Sequence, residues 1–353
     1  MQARVAASGE AERQQATGRL LAAEIDAALA EAAWALISAA QRIVILAHEH
    51  PDPDALGSAL GLALTLESLG KDCIVACADP VPATYTFLPG RERVVSTFDA
   101  ASIDLVIALD AGELSRYGDL YTRYKDFFDS TTILNMDHHV TSNGCGKVNI
   151  IDPKSAATAE LLTLFLLRHG AEIGADAARC LLAGIITDTR SFEFDATTSR
   201  TLLAGAYLVG CGAVPDEIIK PVYRIQPLEK VRLWSLTIER SLGTAAEGRI
   251  VWAALRREYL AETGATADMD DGLPSYLKDI EGVAISALFK EQTDGTTKVS
   301  LRAAAPYDAA RMSAHFGGGG HVRAAGFSLA LGVDAAMREV TPYLESQLER
   351  EPS

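Results

Sequence analysis

The chain carries a series of short, continuous apolar runs rich in β-branched residues, separated by helix-length segments, and this pattern limits its fold more than any other feature. Residues 43–47, 73–78, 105–109, 132–136 and 148–151 are such runs, and 55–69, closed by Gly70, has helical periodicity. A strand that is apolar throughout, rather than in alternation, needs cover on both faces, the condition met inside a parallel sheet flanked by helices. The expectation is an α/β fold whose N-terminal part is a five-stranded parallel sheet flanked by helices. In such sheets ligands collect beyond the carboxyl ends of the strands, near the point where strand order reverses.

Acidic and histidine clusters fall at that edge. His48-Glu49-His50-Pro51-Asp52-Pro53-Asp54 follows the first run, Asp110 the third, and Asp137-His138-His139 the fourth. A further cluster, Thr187-Asp188-Thr189, follows the apolar segment 180–186, read as a helix that must bring Asp188 to the same crevice. Singly, such clusters read as a turn, a helix cap or a polar surface run. Together, in one α/β framework, they point to a divalent-metal site. Asp52 and Asp54, one residue apart in a turn stiffened by Pro51 and Pro53, repel unless cations lie between them. A mixed Asp/His set suits Mn²⁺, whereas a pure oxygen set would suit Mg²⁺ better. Two divalent cations about 3.5–4 Å apart activate a water and clamp a phosphoryl group, so the constellation implies hydrolysis of a phosphate ester.

The second half changes character. Residues 201–245 read as a helical linker, interrupted at 210–215 and 226–227. Beyond it lie a strand at 250–255, a helix at 273–280 and strands at 283–289 and 297–301, the last two joined by an Asp294-Gly295 turn. Gly317-Gly318-Gly319-Gly320-His321 and Ala324-Ala325-Gly326 follow. Glycines there let backbone amides approach an anion as a concave nest, and His321 can donate to a phosphate oxygen. The domain plan is a tail and helix start at 1–30, a catalytic domain at 31–200, the linker, and a smaller α/β substrate domain at 246–350 across a cleft.

Composition narrows the partners. No apolar run reaches the roughly 18 residues that span a bilayer, so no membrane association is expected. The alanine-rich start lacks the compact apolar core of a secretory signal. A net charge of −15 argues against tight nonspecific binding of long DNA or RNA, while leaving room for a small anionic ligand held locally. Five cysteines, an odd number without Cys-x-x-Cys, suggest neither a zinc ribbon nor a disulfide framework, and fit a reducing cytoplasm.

These motifs carry a resemblance. His48-x-x-Pro51-Asp52-x-Asp54-x-x-Gly57-Ser58, Asp110, Asp137-His138-His139 and Asp188 resemble, in order and spacing, the four motifs of the DHH phosphoesterase superfamily. The glycine run with His321 and Ala324-Ala325-Gly326 resembles the signature of the DHH-associated C-terminal domain. The short two-domain plan is most similar to bacterial nanoRNases that also dephosphorylate 3′-phosphoadenosine 5′-phosphate (pAp). The resemblance implies a first metal at His48, Asp52 and Asp110, and a second at Asp54, Asp110, His138 and Asp188, Asp110 bridging. It implies that His139 contacts the substrate phosphate while Asp137 orients the neighbouring imidazoles. It further implies that Ser300 and Arg302, with Gly318, Gly319, Gly320 and His321, face a short RNA or small nucleotide. Arg190 stands where the family often has glycine, and reads either as a cation over the substrate phosphate or, the favoured reading, as an ion-pair partner of Glu193 or Asp195. His50 is left unassigned, and His169 and His315 are read as structural helix residues. The expected activity is release of mononucleotides from very short RNA, with two Mn²⁺ and pAp phosphatase activity beside it. Hydrolysis of c-di-AMP or linear pApA is the enzyme alternative, a nucleotide-binding sensor the non-enzyme one, and a homodimer is compatible with either.

Overall fold

The computed structural model describes residues 25–349, so most of the tail expected at 1–30 lies outside the described residues. The chain divides between Ile225 and Gln226 into two compact units.

In the first unit, β1 (Arg42–Leu46), β2 (Asp72–Ala76), β3 (Leu105–Leu109), β4 (Ile133–Asp137) and β5 (Val148–Ile151) form one sheet in the order β2-β1-β3-β4-β5. Every pairing is parallel. The alternation along β1 shows why that strand has no polar face. Ile43 and Ile45 enter one apolar core, and Val44 and Leu46 enter another on the opposite side. Helices α1 (Ala27–Ala39), α2 (Pro53–Ser68), α3 (Thr158–Arg168), α4 (Ala175–Asp188) and α5 (Ser199–Gly210) supply the first core. Tyr117, Leu120 and Phe128 close the second. Each fully buried Leu or Ile contributes on the order of 1.5–3 kcal/mol. The order places the switch point between β1 and β3, so the segments after those two strands open beside one another.

In the second unit, β6 (Gly243–Ala245), β7 (Ile250–Leu255), β8 (Ile285–Glu291), β9 (Thr297–Ala303), β10 (Gly319–Gly320) and β11 (Ala324–Leu329) form a sheet in the order β10-β11-β9-β8-β7-β6. Only β7 and β8 run parallel; the other pairs are antiparallel. The loop between β8 and β9 turns at Asp294-Gly295, where Asp294 accepts from the Thr296 amide at 3.0 Å and Gly295 has φ 81°. Helices α6 (Leu228–Ser241) and α7 (Leu273–Lys278) pack on one face through Leu233, Leu273 and Leu277. Helix α9 (Val333–Glu349) packs on the other through Val333, Ala336, Val340 and Leu344, beside the short α8 (Ala309–Ala314).

The segment expected as a linker over 201–245 is divided between the units. Ala204 and Leu208 of α5 are buried in the first core, while Leu233 of α6 is buried in a core of the second. Helical periodicity shows that such a segment has an apolar stripe, but not which core receives it. Among the described residues no single helix is long and apolar enough to cross a membrane. Among the described residues no cysteine forms a disulfide.

Candidate metal centre

Helix α2 begins inside the first motif. Asp52 is its N-cap, accepting from the Asp54 and Ala55 amides at 3.0 and 2.9 Å, and Pro53 occupies the first turn, where no amide hydrogen is needed. The helix starts two residues earlier than periodicity suggested, so the Pro-Asp-Pro-Asp stretch is a helix start. Asp54 therefore points inward and is fully buried. Its carboxylate accepts from the Thr158 and Ala159 amides at 2.7 and 3.0 Å and from the Ser58 hydroxyl at 3.2 Å. Ala157 has no side chain to cap α3, and Asp54 satisfies those orphan amides from across the fold.

Asp110 ends β3 with φ 59°, a left-handed backbone that aspartate tolerates better than most residues. The reversal turns its carboxylate back over the sheet edge, where Oδ1 accepts from the Thr158 hydroxyl at 2.8 Å. Asp110 Oδ2 lies 3.5 Å from His48 Nε2, and Oδ1 lies 3.6 Å from His138 Nε2. Asp52 and Asp188 approach the same two imidazoles, at 3.9 Å from His48 and 3.2 Å from His138. Among the described residues three groups of three donor atoms result, His48/Asp52/Asp110, Asp54/His138/Asp188 and Asp110/His138/His139, the atoms of each within 4.8 Å of one another.

The imidazoles are oriented for ligation. His48 Nδ1 lies 2.7 Å from the Glu49 carbonyl and His138 Nδ1 lies 3.2 Å from the Ser155 carbonyl. A donated Nδ1–H leaves Nε2 as a lone-pair donor facing the carboxylates. His138 Nε2 is buried without a hydrogen-bond partner, an expense that a cation removes. The chemistry of the set agrees, since four carboxylates and two imidazoles converge where only protons or cations can balance the charge. These residues fit a divalent-metal centre.

The convergence of these groups shifts their proton affinities upward. Burial opposes a charge on His48, but the hydrogen bond to Asp110, the Glu49 carbonyl and the Asp52 charge lift its pKa to about 9. Burial likewise opposes a charge on His138, and Asp188, Asp54 and Asp110 lift it to about 10. Burial and the Asp110 charge push Asp188 up to about 6, against the pull of His138. Burial, then Asp110 and Asp188, push Asp54 well above the usual carboxylate range.

His139 is held differently. Its Nδ1 lies 2.7 Å from Asp137 Oδ1, which also accepts from the His139 amide at 3.2 Å. That partner raises the His139 pKa, and burial opposes it. Burial alone would raise Asp137, but the hydrogen bonds from the His139 ring and amide hold it below the usual range.

All eight acidic and histidine residues singled out in the first half thus meet at one sheet edge. The second-unit residues gather around β9 and its edge neighbours. Val299 and Leu301 enter the core while Ser300 and Arg302 share the opposite face. Arg302 Nε donates to Ser275 Oγ of α7 at 3.2 Å. Gly319 and Gly320 pair with β11 as an edge strand, where the sequence suggested a concave loop of amides. A Cβ on Gly318 would collide with the Gly326 carbonyl, and Gly320 has φ 141°, so close pairing requires glycine at both. His321 begins the tight hairpin into β11, its amide donating to the Ala324 carbonyl at 2.8 Å.

Among the residues set aside, Arg190 Nε lies 3.4 Å from Glu193, and the exposed His50 lies 3.8 Å from Asp79. His169 stacks on Trp34 at 4.5 Å and His315 on Tyr343 at 4.1 Å, both structural. Sequence reasoning missed Thr158, which holds Asp54 and Asp110 together, and the interhelical role of Gly57 and Gly184. A Cβ on Gly57 would meet the Cys180 carbonyl, and one on Gly184 would meet the Asp54 carboxylate. The signal available for them was the pair of glycines inside helices, one in the run after Asp54 and one before Asp188.

Comparison with known proteins agrees with this geometry. The DHH family, N-terminal domain, matches residues 42–185, and the DHHA1 domain matches residues 250–348. The chain is 33% identical to a bifunctional oligoribonuclease and PAP phosphatase of Thermus thermophilus, over 87% of this chain and 90% of that protein. It is 28% identical to the protein of the same description from Bacillus subtilis, over 83% and 91%. It is 25% identical to a cyclic-di-AMP phosphodiesterase of Listeria monocytogenes, covering 91% of this chain but 49% of that longer protein. In fold it is similar to an exopolyphosphatase-related protein from Bacteroides fragilis, with a TM-score of 0.84 at 23% identity, over 92% of this chain and 99% of that one. With the DHH domain carrying the acidic and histidine cluster and the DHHA1 domain following it, the chain belongs to the DHH phosphoesterase family and is a hydrolase of phosphoric esters.

Proposed function

We propose that the protein hydrolyses very short RNA to mononucleotides and also removes a phosphate from pAp, using two divalent cations for which Mn²⁺ is the best match. The observation that carries this reading is the position of Asp110, whose two carboxylate oxygens face His48 on one side and His138 on the other. His48, Asp52 and Asp110 would hold one ion, and Asp54, Asp110, His138 and Asp188 the other. When bound, the ions supply Lewis-acid stabilisation of the phosphoryl oxygens and lower the pKa of a water. The chain's own groups bind and orient. Asp137 keeps a proton on His139, so that Nε2 can donate to a phosphate oxygen whose charge grows in the transition state. Ser300, Arg302, Gly318, Gly319, Gly320 and His321 would receive the nucleotide, Arg302 as a bidentate donor to phosphate. The similarity to the two bifunctional relatives over nearly their full length supports nanoRNA and pAp over other phosphoric esters.

A product time course in Mn²⁺ tests this, with an RNA dinucleotide, a long single strand, pAp and c-di-AMP supplied at equal concentration. Fast loss of the dinucleotide and of pAp, with the long strand nearly untouched, is expected. Fastest consumption of c-di-AMP would instead place the protein in second-messenger turnover with the same site.

A pH-dependent signature follows from the imidazoles. With His48 raised from 6.5 to about 9 and His138 from 6.5 to about 10, the metal-free fold gains stability from protons below pH 6.5. That gain is lost as pH rises through 9 and 10, and the raised Asp188 acts in the same sense at lower pH. A cation replaces those protons, so metal affinity rises with pH, by roughly tenfold per unit for each proton displaced. Melting curves at about pH 6 and about pH 8.5 should show a larger Mn²⁺-induced rise in Tm at the higher value. An equal rise at both would remove His48 and His138 from the ligand set.

A further inference from the structure

The first unit contains a buried ionic cluster that none of the motifs predicts. Arg200, in the first turn of α5, donates from Nε to Glu160 Oε1 at 2.7 Å. Its Nη2 donates to Asp152 Oδ2 at 2.8 Å and to Ser155 Oγ at 2.9 Å. Ser155 passes a hydrogen bond on to Asp152 at 2.8 Å. Glu160 has no solvent exposure, and its second oxygen accepts from the Ala156 amide and the Thr201 hydroxyl, both at 2.9 Å. Taking these charges out of water is unfavourable, and apolar residues of similar volume often do as well or better for stability. Stability alone is therefore a poor reason for the cluster.

Its position supplies a better one. Every group that Arg200 and Glu160 hold, Thr201 apart, lies on the turn between β5 and α3, residues 152–156. The opposite side of that turn, continued into the first residues of α3, holds the metal centre. The Ser155 carbonyl faces His138 Nδ1, the Thr158 and Ala159 amides hold Asp54, and the Thr158 hydroxyl holds Asp110. The Asp152 amide donates to the Asp137 carbonyl at 3.0 Å. Arg200 touches no ligating atom, yet it is bonded to the segment that aims four of the site's residues.

We propose that Arg200, with Glu160, is a positioning residue of the metal centre: its planar fork locks the 152–156 turn in the one arrangement that points His138, Asp54 and Asp110 at the same ions. The proposal rests on the metal-site reading above. A lysine keeps the charge but is a point donor on a flexible stem, and cannot hold Glu160 and Asp152 with fixed geometry.

Direct titration of the full chain with Mn²⁺, in the absence of substrate, tests this apart from catalysis. Arg200→Lys should lower Mn²⁺ affinity by about tenfold or more, the range seen when partners that orient ligands are changed. Arg93→Lys is the control, because Arg93 pairs with Glu67 in the same unit away from the turn, and its affinity should stay within about twofold of wild type. Wild-type affinity in Arg200→Lys overturns the proposal. Should Arg200→Lys fail to fold, Ser155→Ala removes only the hydroxyl link while keeping the carbonyl that faces His138. Reduced affinity in that variant supports the proposal, and unchanged affinity overturns it. A wild-type protein that takes up no Mn²⁺ overturns the metal reading and this proposal with it, whereas uptake with unchanged affinity in the variants overturns this proposal alone.

Discussion

Asp110→Ala should lower kcat/KM by at least about a thousandfold, which is about 4 kcal/mol of lost transition-state stabilisation. Among the described residues Asp110 is the one carboxylate within 4 Å of both His48 and His138, so its loss removes a donor from both proposed ions at once. No neighbour can substitute, because Asp54 is already committed to the Thr158 and Ala159 amides and the Ser58 hydroxyl. The same change removes a buried charge that raises the pKa of Asp52, Asp54 and Asp188. Relief of that repulsion opposes the loss of the Thr158 hydrogen bond, worth roughly 1 kcal/mol, and of the attraction to His48 and His138. With these terms opposed, the metal-free variant should melt close to metal-free wild type, while its response to Mn²⁺ disappears. Steady-state kinetics and paired melting curves check both halves. Retained turnover would remove Asp110 from the centre of the mechanism.

Gly184→Ala should act in the opposite way, harming fold and activity together. In an exposed helix interior, alanine for glycine stabilises by about 0.8–1.0 kcal/mol. Here the added methyl would meet the Asp54 carboxylate and lie 2.7 Å from the Ala159 Cβ. Overpacking of this kind costs about 1–3 kcal/mol, so the clash outweighs the propensity gain. Relief requires α4 to move away from α2, or Asp54 to turn from the α3 amides, and either shifts a candidate ligand. A displacement of about 1 Å at a reacting centre can lose about a hundredfold in rate. The expected result is a lower Tm and a kcat reduced by one to two orders of magnitude, read by calorimetry and initial rates. A variant more stable than wild type with full activity would mean that the helices part without disturbing Asp54.

Both predictions depend on packing that spacing along the chain does not reveal. Strands β3 and β5 were legible to the residue, because parallel strands covered on both faces leave uninterrupted apolar runs. The start of α2 was placed two residues late because Asp52 and Pro53 carry turn chemistry and N-terminal helix chemistry alike. The 201–245 segment has the periodicity of a helical linker, although its helices belong to different cores. The glycine run suggests a concave nest of amides, although close packing on β11 is what demands glycine at positions 318 and 320.

The layered α/β architecture and the choice of eight acidic and histidine residues as candidates were legible in the chain, because period, β-branching and polar residues at strand ends are local properties. Only the tertiary structure decided how those residues are held. Thr158 meets Asp54 and Asp110 from 104 and 48 residues away, and Arg200 reaches Glu160 and Asp152 across 40 and 48 residues. Hydrogen bonds of that separation exist only once the sheet, its crossover connections and the close α2–α4 contact have formed. A single side chain in the sequence does not show which distant partner will satisfy it.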